Sequence, residues 1–243
     1  MSLYSTNHYF RFYLQAVTKY QLHSPAIFPL AMAVLEDSRR YYAFDDIHRM
    51  RRALLQRKQA HHLRLSERIR AYAPAQGTGE KLFRLVQYVA PARTIIMGSG
   101  VGLGCLYAAA ASSGPVLMYE EQPSIEKLAQ LNLTFLHLEK RITFLQSAPA
   151  LLEQVTDQDM LISFADNTYL DPKDLPRLPK AVVGLDMYRS EARYQTGQHW
   201  NQHPGLKASV DFFDLTVWLM EEGMREVQHV KVVPAWYKPW KFY

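Results

Sequence analysis

The stretch Thr94-Ile95-Ile96-Met97-Gly98-Ser99-Gly100-Val101-Gly102-Leu103-Gly104 decides how the rest of the chain is read. Thr94 to Met97 is a short run of the β-branched and apolar residues that suit a strand buried on both faces. Glycines at 98, 100 and 102 follow at once, and Leu103 to Ala111 is an alanine-rich run of good helix formers. A strand that turns through glycines into a helix brings backbone without Cβ to the carboxyl edge of a sheet. The helix start adds unpaired N–H groups and a positive field. Open α/β sheets bind ligands at such an edge. The third glycine comes one residue earlier than in the dinucleotide fingerprint, but Gly104 follows, so the spacing leaves a dinucleotide open.

Outward from that turn, apolar runs alternate with helical ones. Val116-Leu117-Met118-Tyr119, Ile142-Thr143-Phe144-Leu145, Met160-Leu161-Ile162-Ser163-Phe164 and Ala181-Val182-Val183-Gly184-Leu185 read as further strands. Residues 80–90 before Pro91, residues 123–136 and residues 149–156 read as helices between them. The alternation predicts an α/β domain with a mostly parallel sheet covered on both faces. Upstream, residues 8–44 and 45–72 read as helical, with Ser24-Pro25 as an N-cap and first-turn proline. Residues 74–79 read as a loop, which predicts a helical extension over 1–78 and a Rossmann-like domain over 79–243. In the tail, residues 211–219 (DFFDLTVWL) read as one strand and residues 227–233 as its hairpin partner. The aromatic end PAWYKPWKFY is expected to pack on the sheet edge.

Among the 243 residues, 48% are hydrophobic, ample for one large core. No apolar run is long enough to cross a membrane, the start lacks a secretory pattern, and Cys105 is the sole cysteine. A cytoplasmic protein without intramolecular disulfides is expected. The net charge of +5 gathers in a stretch holding Arg49, Arg51, Arg52, Arg57, Lys58, Arg64, Arg68 and Arg70. Leu54, Leu55, Leu63, Leu65 and Ile69 interrupt it at helical spacing, so it reads as a solvated helix face. Zinc-finger spacing is absent, and nucleic acid is not the expected partner.

Glu120 ends the second strand, where an acidic side chain accepts hydrogen bonds from ribose hydroxyls. At this point the sequence resembles the small class I S-adenosylmethionine-dependent O-methyltransferases, in a bacterial subgroup with a helical N-terminal extension. The resemblance rests on His23-Ser24-Pro25, Tyr41-Tyr42-Ala43-Phe44, Leu82-Phe83-Arg84-Leu85-Val86, the strand and glycine turn with Leu106-Tyr107, and Asp186-Met187-Tyr188-Arg189-Ser190. His203-Pro204 and Asp211-Phe212-Phe213 keep the subgroup's spacing. It implies a three-layer α/β/α fold with seven strands, the last antiparallel. It also implies S-adenosylmethionine as cofactor, with Gly98, Ser99, Gly100, Gly102, Glu120 and Asp166 around it. A small-molecule acceptor, methylated on oxygen, would be the substrate, and a homodimer is compatible with the reading. No metal is assigned, although Asp166, Asn167 and Asp186 are the set that would offer oxygen ligands.

The chain departs from the pattern that this resemblance implies. Ile96 stands where the family has an acid that helps hold the cofactor's ammonium group. Ala165 and Leu185 replace expected acids after the fourth and fifth strands, and Gly197 replaces a tryptophan. Methyl transfer needs an acceptor held in line and a group to take its proton. Asp186, Asp166 and Tyr188 are the catalytic candidates, with Asp186 a base if burial raises its pKa. The alternative is a methyltransferase-like chain that has lost catalysis and serves as a binding or partner subunit.

Overall fold

A computed structural model describes residues 3–56, 69, 72–164, 170–220 and 226–238. Its eight strands are β1 (Arg93–Met97), β2 (Val116–Tyr119), β3 (Ile142–Phe144), β4 (Asp159–Ser163), β5 (Ala181–Leu185), β6 (Ala208–Asp211), β7 (Leu215–Leu219) and β8 (Gln228–Lys231). They form one sheet in the order β3-β2-β1-β4-β5-β7-β6-β8. Strands β1 to β5 pair in parallel, and β7 runs antiparallel to both β5 and β6. This is the expected Rossmann-like α/β architecture with one strand more than the seven expected. The added strand is β8, which pairs in parallel with β6.

The helices are α1 (Leu3–Gln15), α2 (Ile27–Ala31), α3 (Tyr42–Gln56), α4 (Gln76–Val89), α5 (Gly104–Ala111), α6 (Pro123–Phe135), α7 (Ala148–Leu152) and α8 (Glu191–Asn201). Helix α2 runs on into a π-turn over Met32–Glu36, and Ser24 Oγ accepts from the Ile27 amide at 3.4 Å, as the Ser-Pro start implies. Side chains alternate across each strand. Ile96, Met118, Ile162, Val183, Val217 and Val210 face one core with α2 to α6, while Ile95, Met97, Leu161, Val182 and Trp218 face a second core with Trp200 of α8. Burial on both sides explains why the parallel strands carry continuous apolar runs.

Several local readings change. Residues 8–44 are not helical throughout: α1 ends at Gln15, Val17 forms a β-bridge, and residues 37–41 carry no helix. Residues 74–79 are not wholly a loop: α4 begins at Gln76, so the 78/79 boundary falls inside its first turn. Residues 211–219 are not one strand. Asp211 ends β6, Phe213 takes the left-handed conformation (φ 73°), and the chain reverses into β7. The Asp211 carboxylate accepts from the Phe213 amide at 2.8 Å, an Asx-type contact that stabilises the turn. Consequently β8 is no hairpin partner of β7; it lies beyond β6 at the edge. The chain between β7 and β8 includes residues 221–225, outside the described residues, as is 239–243 of the aromatic end. Most of the basic stretch, from Arg57 to Arg68 and Arg70, also lies outside them. On α3, Arg49 pairs with Asp46 and the Arg51 guanidinium donates to the Pro74 carbonyl at 2.5 Å.

The N-terminal helices are sewn to the tail. Val17 bridges to Val232, with Val17 N donating to Lys231 O (2.8 Å) and Val233 N to Val17 O (3.0 Å). Tyr13 donates its hydroxyl to Tyr237 O, and the buried Lys238 ammonium donates to Ala16 O at 2.7 Å. Among the described residues no helix is long and apolar enough to cross a membrane.

Candidate functional site

The glycine turn joins β1 to α5 at the carboxyl edge of the parallel strands. Gly98, Gly100 and Gly102 have φ of 77°, 59° and 68°, and Val101 between them has 57°. A run of left-handed residues is costly for anything but glycine, which accounts for three of these positions. Packing adds to the demand at Gly100 and Gly104. A Cβ on Gly100 would sit 3.0 Å from Phe164 Cδ1, and one on Gly104 2.5 Å from Phe164 Cε1. The Phe164 ring, at the end of β4, therefore lies against the turn and the start of α5. Part of the glycine pattern is explained by this contact rather than by a ligand.

Ser99 is fully buried and organises the turn. Its amide and its hydroxyl both donate to Glu120 Oε2, at 2.8 and 2.6 Å, and its Oγ accepts from the Gly102 amide at 2.9 Å. Asn132 of α6, itself buried, donates to the Gly102 carbonyl at 2.7 Å. The carboxylate at the end of β2 is thus tied to the turn through one oxygen. Its other oxygen, Oε1, accepts the Gln122 amide at 3.2 Å. Ile96 points into one core and Met97 into the other, at 0% and 1% exposure. Cys105, one residue into α5, is buried, which pushes its thiol up to about 12 and leaves it un-ionised near neutrality.

Of the residues that sequence reasoning groups here, Ser99, Gly102 and Glu120 are joined by hydrogen bonds, and Gly98 and Gly100 lie in the same left-handed turn. Asp166, with Ala165 and Asn167, lies outside the described residues. Asp186 follows β5 in the left-handed conformation (φ 52°), half-buried, and its amide donates to the Asp214 carbonyl at 3.0 Å. Tyr188 sits apart from the turn. It stacks on Phe213 (5.0 Å between ring centres, 10° between planes), contacts Phe12 of α1, and donates its hydroxyl to Asp211. Burial, followed by the neighbouring carboxylate, raises the Tyr188 phenol well above its ordinary range. Burial likewise raises Asp211, although the Tyr188 hydrogen bond opposes it.

One group in this region was missed. Asp214 accepts from Thr78 Oγ1 (2.6 Å) and from Lys81 Nζ (2.7 Å), both on α4, while its carbonyl holds Asp186. Reading residues 211–219 as one strand hid it; the Asp-Phe-Phe-Asp pattern, with acidic residues flanking two aromatics, was the turn signal available. His199 Nδ1 lies 2.6 Å from Asp171 Oδ2, and His203 Nδ1 accepts from the Gly205 amide. Among the described residues no group of three or more His, Cys, Asp or Glu side chains is placed to hold a metal ion.

No protein-family model and no curated protein matches this chain. Solved structures do. An O-methyltransferase from Bacillus cereus in complex with SAH is 15% identical, covering 80% of this chain and 97% of that one, with a TM-score of 0.54. An SAH-bound methyltransferase from Podospora anserina is 10% identical, covering 83% and 97%, at 0.56. An O-methyltransferase of tomaymycin synthesis from Streptomyces achromogenes, in complex with SAM, is 12% identical, covering 76% and 92%, at 0.53. At such identities the likeness is one of fold: the chain has the Rossmann-like fold of these methyltransferases.

Proposed function

We propose that the protein transfers a methyl group from S-adenosylmethionine to an oxygen of a small-molecule acceptor. The observation that carries the reading is the unit formed by the left-handed glycine turn and Glu120 at the ends of β1 and β2. In this reading the Glu120 Oε1 edge accepts from the ribose, while Ser99 holds Oε2 and so fixes the carboxylate's orientation. Backbone of Gly98, Gly100 and Gly102 lines the cofactor's methionine and ribose portion. Bound S-adenosylmethionine supplies an electrophilic methyl group on a sulfonium centre. Asp186, half-buried at the end of β5, takes the acceptor's proton, and the Asp214 carbonyl holds its backbone in the left-handed turn. Asp166, which the resemblance implies beside the cofactor, lies outside the described residues. The fold shared with SAM- and SAH-bound methyltransferases supports the cofactor assignment.

A second reading has its own observation. Ile96 is an apolar residue sealed in the core where the family resemblance implies an acid, and Glu120 is already bonded to the turn. A chain of this kind would be a non-catalytic partner subunit. Calorimetry with S-adenosylhomocysteine separates the two. The methyltransferase reading expects a micromolar Kd, about −8 kcal/mol. It also expects a loss of tenfold or more in Glu120→Ala with the circular dichroism spectrum unchanged. No heat and no thermal shift at millimolar ligand would sink it.

A further inference from the structure

The strand that exceeds expectation also builds a cleft. It measures about 510 Å3, within the range of small-molecule pockets. Its floor is the face of β7, β6 and β8 that carries Trp218, Thr216, Ser209 and Asp211, and its far wall is β8, with His229 and Lys231 pointing the same way. Helix α8 supplies Gln198 and Asn201 opposite, with Gln202 as its C-cap, and α1 supplies Gln15 at the rim. The glycine turn lies four strands away, roughly 19 Å along the sheet, and its helix α5 packs on the other face. The cleft is therefore separate from the proposed cofactor site, and the inference does not depend on that reading.

Its polar groups are biased toward donors. Asn201 Oδ1 is occupied by the Trp218 indole N–H at 2.9 Å, which turns the Asn201 amide donor elsewhere. Ser209 Oγ and His229 Nδ1 are 2.8 Å apart, so the second ring nitrogen of His229 is the one presented to a ligand. Lys231 Nζ donates to Gln15 Oε1 at 2.6 Å rather than pairing with Asp211, its cross-strand neighbour. Asp211 is the carboxyl group lining the cleft, and three donors already occupy it: the Tyr188 hydroxyl, the Thr216 hydroxyl and the Phe213 amide. Burial also favours its neutral form. Among the described residues, the groups facing the space are thus an ammonium, an imidazole, side-chain amides and the hydroxyls of Ser209, Thr216, Tyr188 and Tyr194, with the lining acid withdrawn. The indole of Trp218 and the side chain of Met187 provide an apolar flank.

We infer that this cleft is a second small-molecule site, which takes a compact ligand carrying a carboxylate or phosphate group. The oxyanion is held by Lys231 and His229, and the α8 amides bond the ligand's remaining polar atoms. The test follows the His229 ring resonances of the full chain during separate titrations with sodium succinate and inorganic phosphate, against sodium chloride at matched ionic strength. The expected result is a saturable shift with at least one of them, at a Kd of about 1 mM or tighter, weakened tenfold or more in Lys231→Gln and unchanged in Lys127→Gln, an exposed lysine on α6. Which anion saturates tells carboxylate from phosphate. Tryptophan fluorescence gives a second readout in His229→Gln, which should lose the response. Shifts that merely follow ionic strength, or that fall equally in Lys127→Gln and Lys231→Gln, would overturn the inference.

Discussion

Replacing Ser99 by Ala tests whether the turn and the β2 carboxylate act as one unit. The variant deletes the 2.6 Å hydrogen bond to Glu120 Oε2 and removes the acceptor of the Gly102 amide. A hydrogen bond to a charged acceptor contributes about 1.5–3 kcal/mol, and a buried N–H left without a partner costs about 1–3 kcal/mol. Two features reduce the sum: Glu120 is only half-buried, and it keeps the Ser99 amide at 2.8 Å. The expected loss is therefore about 3 kcal/mol. For a chain of this size, each kcal/mol moves the melting temperature by about 2–4 °C, so Tm should fall by roughly 6–12 °C. Glu120→Gln keeps the shape and removes the charge, and it should cost about 1–2 kcal/mol. Because the two residues touch, the double variant should lose less than the sum, with a coupling of about 1–2 kcal/mol in guanidinium unfolding. A Ser99→Ala protein within 0.5 kcal/mol of the parent, or strict additivity, would refute the coupling.

Three further perturbations probe other contacts. Gly104→Ala should destabilise by about 1–2 kcal/mol despite alanine's better helix propensity, because its Cβ would meet the Phe164 ring at 2.5 Å; adding Phe164→Leu should recover part of the loss in urea melts. Arg93→Met should cost about 3 kcal/mol by calorimetric unfolding, since it takes the counter-charge, now bound at 2.7 and 3.0 Å, from the fully buried Asp159 carboxylate and leaves it the Thr156 amide at 2.8 Å; adding Asp159→Asn should return most of it. Tyr188→Phe keeps the stack on Phe213 and removes a donor to Asp211, at a cost of about 1–3 kcal/mol. Asp211 is raised by burial, so the native state holds its proton more tightly than the unfolded chain does. Its contribution is greatest below about pH 4, the unfolded value, and declines as pH rises through the native one. Loss of the donor pushes the native value higher still, so the stability difference between Tyr188→Phe and the parent should widen with rising pH. A difference flat in pH would show that the hydroxyl does not support the carboxylate.

The parts of the fold that were legible are those governed by local rules. Apolar strand runs, the proline at the start of α6 and the glycine turn each state their own conformation, and all reappear within a residue or two. The tail was misread because its signals are tertiary. Asp211 and Phe213 make a turn inside an apolar, aromatic run, where the β propensity of Phe and Trp masks it. β8 has an irregular burial pattern, as an edge strand does, and its parallel partner lies across a connection that no short-range signal marks. In the site, residue types were readable and their partners were not. Glu120 was legible as an acceptor at a strand end, whereas its bond to Ser99 depends on the left-handed path of the turn. Phe164 looked like one more strand residue, and only its packing shows that it shares in dictating Gly100 and Gly104.

Beyond the seven-stranded arrangement, the two ends of the chain depend on each other. An eighth strand exposes a fresh edge, and an unpaired edge invites association with other chains. Here Val17, just after α1, adds a bridge next to β8 at Val232, and α1 packs Phe12 and Ala16 with Tyr188 and Val233. The helical start thus closes what the tail opens, and Lys238 and Tyr237 fasten the tail back onto α1. The same arrangement places Gln15 over Lys231 and leaves polar β6 and β8 side chains facing α8. Covering an edge and forming a donor-lined cleft are therefore one structural event, carried by segments that are remote in sequence. Cutting residues 1–18 should uncover β8 and the Tyr188 cluster together, so loss of stability and self-association should appear at the same truncation. A shortened chain that stayed monomeric in sedimentation and as stable as the parent would show that α1 rests on the sheet without supporting it.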